Sequence, residues 1–316
     1  MNQLGLTLRQ LEYFVSTVEL GTFSAAAEAF HISQTAISLA VTELERTLGV
    51  QLLVRRPAKG PALTAVGRDL MPGFRRVLLE ARELEADAVG GGNDVSGTVT
   101  VGSFPTVTPY VMGRVLEGVP SRHPGLTVEL VEDSVEGLQK RLRDGACDVA
   151  VLYDLGVDED LITTPLYSCT PHLLLPASHR LAGRSSVAIE EVIDEPMIAI
   201  DLPPSLDYFL GVLGRTGHTP RIRYRAGAIE TVRTLVGRGL GWSLMLHRPI
   251  TDVCYDGGRV VTVSLTGVDE RVDVLLARSA EVRLTARVEA FTQFCIRELP
   301  ALSGVNGRAA QNSAST

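Results

Sequence analysis

The clearest alternation of hydrophobic and polar positions lies in residues 24–48. Ile37, Val41, Leu44 and Leu48 recur at i, i+4, i+7 and i+11, the single buried stripe of an amphipathic helix. Ser33 stands where its hydroxyl can cap that helix, and Gly49 stands where the helix must end. Ahead of it, Ser24 reads as the cap of a shorter helix. Its Ala25, Ala26 and Ala27 leave room for the second helix to approach closely. Gln34, Thr35, Ser38 and Thr42 fall on other faces and remain available. Two helices joined by a turn of roughly three to four residues form a helix-turn-helix. The second helix presents small polar side chains that can read base edges, and its N-terminal N–H groups can hold a phosphate. An ordinary helical hairpin in a small bundle fits the same spacing.

Residues 64–89 carry a longer apolar stripe, Leu70, Phe74, Val77, Leu78, Leu84 and Val89, beside solvated Arg75, Arg76, Arg82, Glu83 and Glu85. Pro72 tolerates an early kink. Alone, such a helix cannot bury its stripe, so a partner is expected. The run Gly90-Gly91-Gly92-Asn93-Asp94 breaks it.

From Gly97 onward β-branched runs alternate with helical stretches, the pattern of an α/β domain. Strands are expected at 99–104, 127–132, 147–153, 162–167, 172–175, 197–200, 221–225, 241–246, 260–264 and 272–277. Helices are expected at 109–123, 135–144, 206–216, 229–238 and 285–299. That is too much for one compact sheet and implies two α/β lobes. Residues 303–316 are rich in Ala, Ser, Asn and Gly and read as a disordered tail.

Composition narrows the class. The chain has 316 residues, 45% of them hydrophobic, and a net charge of −7. Its length suits about two domains, and its apolar content excludes a disordered or collagen-like chain. An acidic total weighs against a nucleic-acid partner, but its distribution removes the objection. Residues 1–60 balance Arg9, Arg46, Arg55, Arg56 and Lys59 against Glu12, Glu19, Glu28, Glu43 and Glu45. The acidity lies elsewhere, and a neutral head predicts modest non-specific affinity and reliance on a dimer or tetramer.

No stretch approaches the roughly 18 uninterrupted apolar residues of a spanning helix. Residues 1–10 show no basic segment followed by an apolar core, so no membrane and a cytoplasmic location are expected. Cys147, Cys169, Cys254 and Cys295 show no metal-ligand spacing and read as small buried hydrophobes. A redox pair of Cys169 with Cys254 is the sharper alternative. His31, His172, His179 and His218 accompany no nucleophile at recognisable spacing, and no nucleophile elbow, phosphate loop or zinc motif occurs. No enzyme, metal site or cofactor is expected.

Three groups of residues together resemble the N-terminal signature of LysR-type transcriptional regulators: Leu8-Arg9-Gln10-Leu11-Glu12-Tyr13-Phe14, Gly21-Thr22-Phe23-Ser24-Ala25-Ala26-Ala27 and Ser33-Gln34-Thr35-Ala36-Ile37-Ser38. Leu44-Glu45, Leu48-Gly49-Val50-Gln51-Leu52-Leu53 and Leu63-Thr64-Ala65-Val66-Gly67 continue it in register. Later, Glu230-Thr231-Val232-Arg233 and Gly239-Leu240-Gly241 extend it. The resemblance implies an α+β protein with three parts and a tail. A winged helix-turn-helix occupies 1–63, a linker helix 64–92 and a two-lobed effector domain 93–302, with the tail at 303–316. The effector domain is similar to periplasmic solute-binding proteins, with lobe I at about 97–168 and 269–299 and lobe II at about 169–268.

The resemblance further implies operator DNA as partner, a homodimer through the linker helix with a tetramer left open, and RNA polymerase if the protein activates. Expected DNA contacts are Ser24, Ala25, Ser33, Gln34, Thr35, Ser38, Leu39 and Thr42, with Arg55, Arg56 and Lys59 in the wing. Leu39 and Thr42 depart from the family, which usually carries basic residues there. Ligands of such lobes sit at strand carboxyl ends beside helix N-termini. Ser103, Thr106, Tyr153, Asp154, Pro204, Ser205, Glu230 and Thr231 are the expected effector contacts, and hydroxyl and N–H groups suit a small organic anion. A solute-binding protein using the lobes alone is the rival reading, disfavoured by the helix-turn-helix. Trp242 is expected in the core.

Overall fold

The structure is a computed structural model that describes residues 5–56, 60–89 and 95–302. The chain divides into two compact units, one of residues 1–94 with 143–146, the other of 95–142 and 147–316.

The first unit contains α1 (Leu8–Glu19), α2 (Phe23–Ala29) and α3 (Gln34–Leu48), then β1 (Leu53–Arg56), β2 (Gly60–Leu63) and α4 (Ala65–Val89). Thr7 and Gln10 form a reciprocal capping box on α1. Ser33 caps α3 by accepting from the Ala36 N–H at 3.2 Å, and Gly49 closes it in the left-handed region at φ 68°. Thr22, not Ser24, caps α2. Its extended backbone places the hydroxyl 3.0 Å from the Ala25 N–H, which leaves Ser24 inside the helix.

Strands β1 and β2 pair antiparallel, from Leu53 opposite Leu63 to Arg56 opposite Gly60. Sequence periodicity shows little strand character here, because four residues per strand carry no readable alternation. The core of the unit is Leu11, Phe14, Ala26, Ile37, Val41, Leu44 and Leu52, joined by Met71, Phe74 and Leu78 from α4.

That last contact corrects the expectation for the linker helix. Part of its stripe is spent within its own chain. Phe74 meets Phe14 edge-on with ring centroids 5.5 Å apart. Only Val77, 43% exposed, and Leu84, 72% exposed, keep stripe side chains in solvent among those described. The helix runs through Pro72 without interruption. Gly90 to Asp94 and the tail from 303 lie outside the described residues.

The second unit opens with β3 (Gly97–Ser103), α5 (Thr108–Arg122), β4 (Leu126–Glu132), α6 (Val135–Arg143), β5 (Val149–Tyr153) and β6 (Leu161–Cys169). It continues with β7 (His172–Pro176), β8 (Ser186–Val187), β9 (Met197–Ile200), α7 (Ser205–Arg215), β10 (Ile222–Ala226), α8 (Ile229–Gly237) and β11 (Ser243–Met245). It ends with β12 (Val260–Leu265), β13 (Val272–Ser279) and α9 (Ala286–Glu298). One five-stranded sheet has the order β4-β3-β5-β13-β6, with β3 parallel to β4 and β5 and with β13 antiparallel to both its neighbours. The other lobe has a four-stranded sheet, β11-β7-β12-β8, and the parallel pair β9–β10. The chain crosses between lobes twice, between Cys169 and His172 and between Leu265 and Val272.

Strand β8 and a 3-10 turn at Ile189–Glu191 were not legible from periodicity, being two and three residues long. Trp242 is fully buried, with its ring N–H donating to the Glu195 carbonyl at 3.0 Å.

Candidate functional site

Helix α3 shows two opposite faces. Ile37, Val41 and Leu44 are fully buried, while Gln34, Thr35, Leu39 and Thr42 are exposed and Ser38 is half-buried. On α2, Ser24 is exposed and Ala25 half-buried. The Ser24 hydroxyl donates to Gln34 Oε1 at 3.1 Å, so the two helix starts are tied together and the Gln34 amide is oriented. Ser33 is exposed but spent as a cap. Thr42 donates to the Ser38 carbonyl at 2.8 Å. Arg55 and Arg56 take the last two places of β1, their side chains outside the described residues, and Lys59 lies outside them altogether.

A carboxylate fixes the wing to this face. Glu45 Oε1 accepts from the Leu52 and Leu53 N–H groups at 2.8 and 2.9 Å. Thr64 then caps α4, its hydroxyl accepting from the Gly67 N–H at 2.9 Å. A Cβ at Gly67 would stand 2.2 Å from the Leu52 carbonyl oxygen, so only glycine allows this approach.

The second site is a tight cavity of about 20 Å³ between the lobes, room for about one water molecule as it stands. Thr106 and Tyr110 enter it from the α5 region and Tyr153 from the end of β5. Ile200, Ser205, Phe209 and Ile229 line it from β9, α7 and α8, and Met245, Leu246 and His247 from the end of β11. Ser205 and Ile229 are the first residues of their helices, and Thr106 stands two residues before α5, so three helix N-termini border the space. None of these lining side chains is a permanent ion. The Thr106 hydroxyl is buried beside Tyr153 with no hydrogen-bond partner of good geometry.

His247, which no motif in the sequence marked, organises the floor. Its Nδ1 lies 2.6 Å from Tyr153 Oη and its Nε2 2.8 Å from Tyr167 Oη, with Cys169 Sγ 3.6 Å from Nε2. Tyr110 stacks on the ring at 4.4 Å and 15°. Burial pushes the imidazole down to about 3, so it is neutral. A neutral ring donates from one nitrogen and accepts at the other, which matches two phenols. Burial also pushes Tyr110 up to about 12 and Tyr153 well above the usual phenol range.

Of the expected effector contacts, Thr106, Tyr153 and Ser205 reach the cavity and the others do not line it. Ser103 is buried beneath, accepting from the Thr108 hydroxyl at 2.9 Å. Asp154 is exposed, in the bend that follows the end of β5, a strand buried on both faces. Pro204 precedes α7, following a cis Pro203–Pro204 bond, and Thr231 is exposed. Glu230 turns away to Arg233 at 2.7 Å and accepts from the Tyr255 N–H at 2.9 Å.

The four cysteines are buried and unbridged. Burial pushes Cys169 and Cys295 each up to about 12. Among the described residues, no group of three His, Cys, Asp or Glu could hold a metal ion, and no helix is long and apolar enough to cross a membrane.

Both units match families of known proteins. The family described as the LysR substrate binding domain matches residues 92–300, and the lysR family of bacterial regulatory helix-turn-helix proteins matches 8–68. A probable hydrogen peroxide-inducible genes activator of Mycobacterium avium is 34% identical over 241 residues, 76% of this chain and 77% of that one. Among solved structures, HinK, a LysR family transcriptional regulator from Pseudomonas aeruginosa, is 34% identical, with a TM-score of 0.63 over 94% of this chain and 99% of that one. A full-length OxyR variant from Pseudomonas aeruginosa is 25% identical, with a TM-score of 0.74 over 93% and 98%. With a lysR-type helix-turn-helix at one end and an effector-binding domain making up most of the rest, this chain belongs to the LysR family of transcriptional regulators.

Proposed function

We propose that this regulator holds duplex operator DNA through α3 and the wing, as a cytoplasmic dimer or tetramer joined through α4. A small organic anion taken up at the inter-lobe cavity, which opens to admit it, changes that hold. The exposed polar face of α3 has the size and chemistry of a major-groove reader. The exposed Val77 and Leu84 on α4 favour a second subunit there. RNA polymerase is a partner if the protein activates, and the reading needs no cofactor.

The observation that carries the effector reading is the buried, unpartnered Thr106 hydroxyl at a cavity bordered by three helix N-termini. An unpaired buried hydroxyl costs free energy unless a ligand completes it. Helix N-termini attract a carboxylate without any basic side chain. Tyr110, Phe209, Ile200 and Met245 would cover an apolar body. The effector acts by its differential affinity for two lobe arrangements.

The test is a calorimetric screen of small aromatic and aliphatic carboxylates, followed by operator binding with and without the hit. Thr106→Val and Ser205→Ala are expected to weaken the hit about tenfold each, as for a lost hydrogen bond to a charge. Equal affinity for the acid and its methyl ester would count against an anion.

Thiol chemistry is the reading that the relatives' names suggest, since several are called hydrogen peroxide-inducible genes activators. A peroxide-reactive cysteine needs an accessible, readily ionised thiol. The burial of all four thiols supports the small-molecule reading instead.

A further inference from the structure

Leu39 is 65% exposed in the middle of α3. At 3.6 residues per turn it points about 170° away from the stripe of Ile37, Val41 and Leu44. It is the apolar centre of an otherwise polar face, with Thr35 one turn before it and Thr42 one turn after. Its neighbours offer little charge to the groove. Arg46 is engaged by Glu43, with Nε donating to Oε2 at 2.8 Å, and the two ions neutralise each other. The Thr42 hydroxyl donates its proton to the Ser38 carbonyl.

Within the major groove, the C5-methyl of thymine is the apolar feature on the base edges. A leucine at the outermost point of a groove-reading helix has that group as its complement. We infer that Leu39 is a specificity-determining residue that packs on a thymine methyl in each half-site. The inference rests on the reading that α3 enters the groove. Gln34, steadied by Ser24, supplies the hydrogen-bonding readout on the same helix, and Leu39 supplies an apolar one.

The test uses the full chain and a duplex selected by it from random sequence. Each thymine of that site is replaced in turn by deoxyuridine, which keeps every hydrogen-bonding group and removes one methyl. At one position per half-site, wild-type affinity is expected to fall about fourfold per methyl removed, the worth of one buried methyl-sized group. Leu39→Ala is expected to bind thymine DNA more weakly and to treat thymine and uracil alike there. Leu39→Met, which keeps an apolar reach, is expected to retain the discrimination.

Wild-type binding that is indifferent to uracil at every position overturns the inference, and so does uracil discrimination that survives in Leu39→Ala. A chain that selects no sequence overturns the underlying α3 reading as well. Sequence-selective binding that Gln34→Ala and Ser38→Ala leave unchanged moves the readout off α3 and overturns both.

Discussion

His247 Nδ1 and Tyr153 Oη meet at 2.6 Å across the seam between the two lobes of the effector domain. Tyr167 holds the other nitrogen at 2.8 Å from the same lobe as Tyr153. One ring of lobe II is therefore pinned twice to lobe I beneath the cavity. His247→Phe keeps the stack on Tyr110 but leaves two buried phenols short of a partner. Each unsatisfied group costs about 1–3 kcal/mol. The effector domain should melt several degrees lower, at about 2–4 °C per kcal/mol for its size. Differential scanning fluorimetry of the full chain reads this directly, and an unchanged melting temperature would show that the pin carries no load.

Acid should loosen the same domain. Burial holds His247 and His172 each down to about 3, against 6.5 for a solvated ring. Below pH 6.5 the unfolded chain binds protons that the folded chain refuses, so stability is full above that pH and falls as pH drops toward 3. Each ring contributes a slope approaching about 1.4 kcal/mol per pH unit. Urea titrations at pH 7, 6 and 5 should show midpoints that decline with acidity, and His247→Phe should flatten the decline. A midpoint independent of pH over that range contradicts the neutral, buried rings.

Peroxide should leave the protein unmodified while folded. Cys169 is buried against His247, and its thiol is pushed up to about 12. That is far from the thiolate that attacks peroxide. Intact-mass spectrometry after hydrogen peroxide treatment should show no disulfide or sulfenic acid at the four cysteines, with operator affinity unchanged. A mass loss of two hydrogens would revive the Cys169–Cys254 pair.

The wing should depend on two residues far from its tip. Glu45→Ala removes the acceptor for the Leu52 and Leu53 N–H groups. Gly67→Ala forces a methyl to within 2.2 Å of the Leu52 carbonyl oxygen. Overpacking of this kind costs about 1–3 kcal/mol, and hydrogen bonds to a charge are worth a similar amount each. Both variants should weaken operator binding and lower the melting temperature of the head. A Glu45→Ala chain that binds DNA normally would mean the wing is placed by its strand pairing alone.

Much of this molecule is written locally. The Ser33 cap, the left-handed Gly49 and the 37-41-44 stripe are short-range signals, and the structure repeats them. Met197–Ile200 is a strand at the residues its β-branched run predicts. Local signals mislead where two neighbours compete, as Thr22 and Ser24 do for one cap. They also mislead where tertiary contacts decide, since only the fold shows that Phe74 faces Phe14.

The cavity was legible only in part, for a related reason. Strand ends and helix starts located Thr106, Tyr153 and Ser205. The side each neighbour takes depends on where the strand ends and on nearby ions, which put Asp154 in an exposed bend and Glu230 against Arg233. His247 belongs to no motif, and its meaning comes from phenols 80 and 94 positions away in the chain.

The cavity's lining has a practical consequence. Its polar groups, Thr106, Tyr153, Ser205 and His247 beside three helix N-termini, stand apart from Phe209, Ile229 and Met245, which supply apolar wall. The wall can therefore be redrawn by exchanging those three side chains while the polar groups stay where they are. If the proposed effector site is right, a reporter gene wired to such a variant should answer to a new inducer, with its promoter recognition untouched.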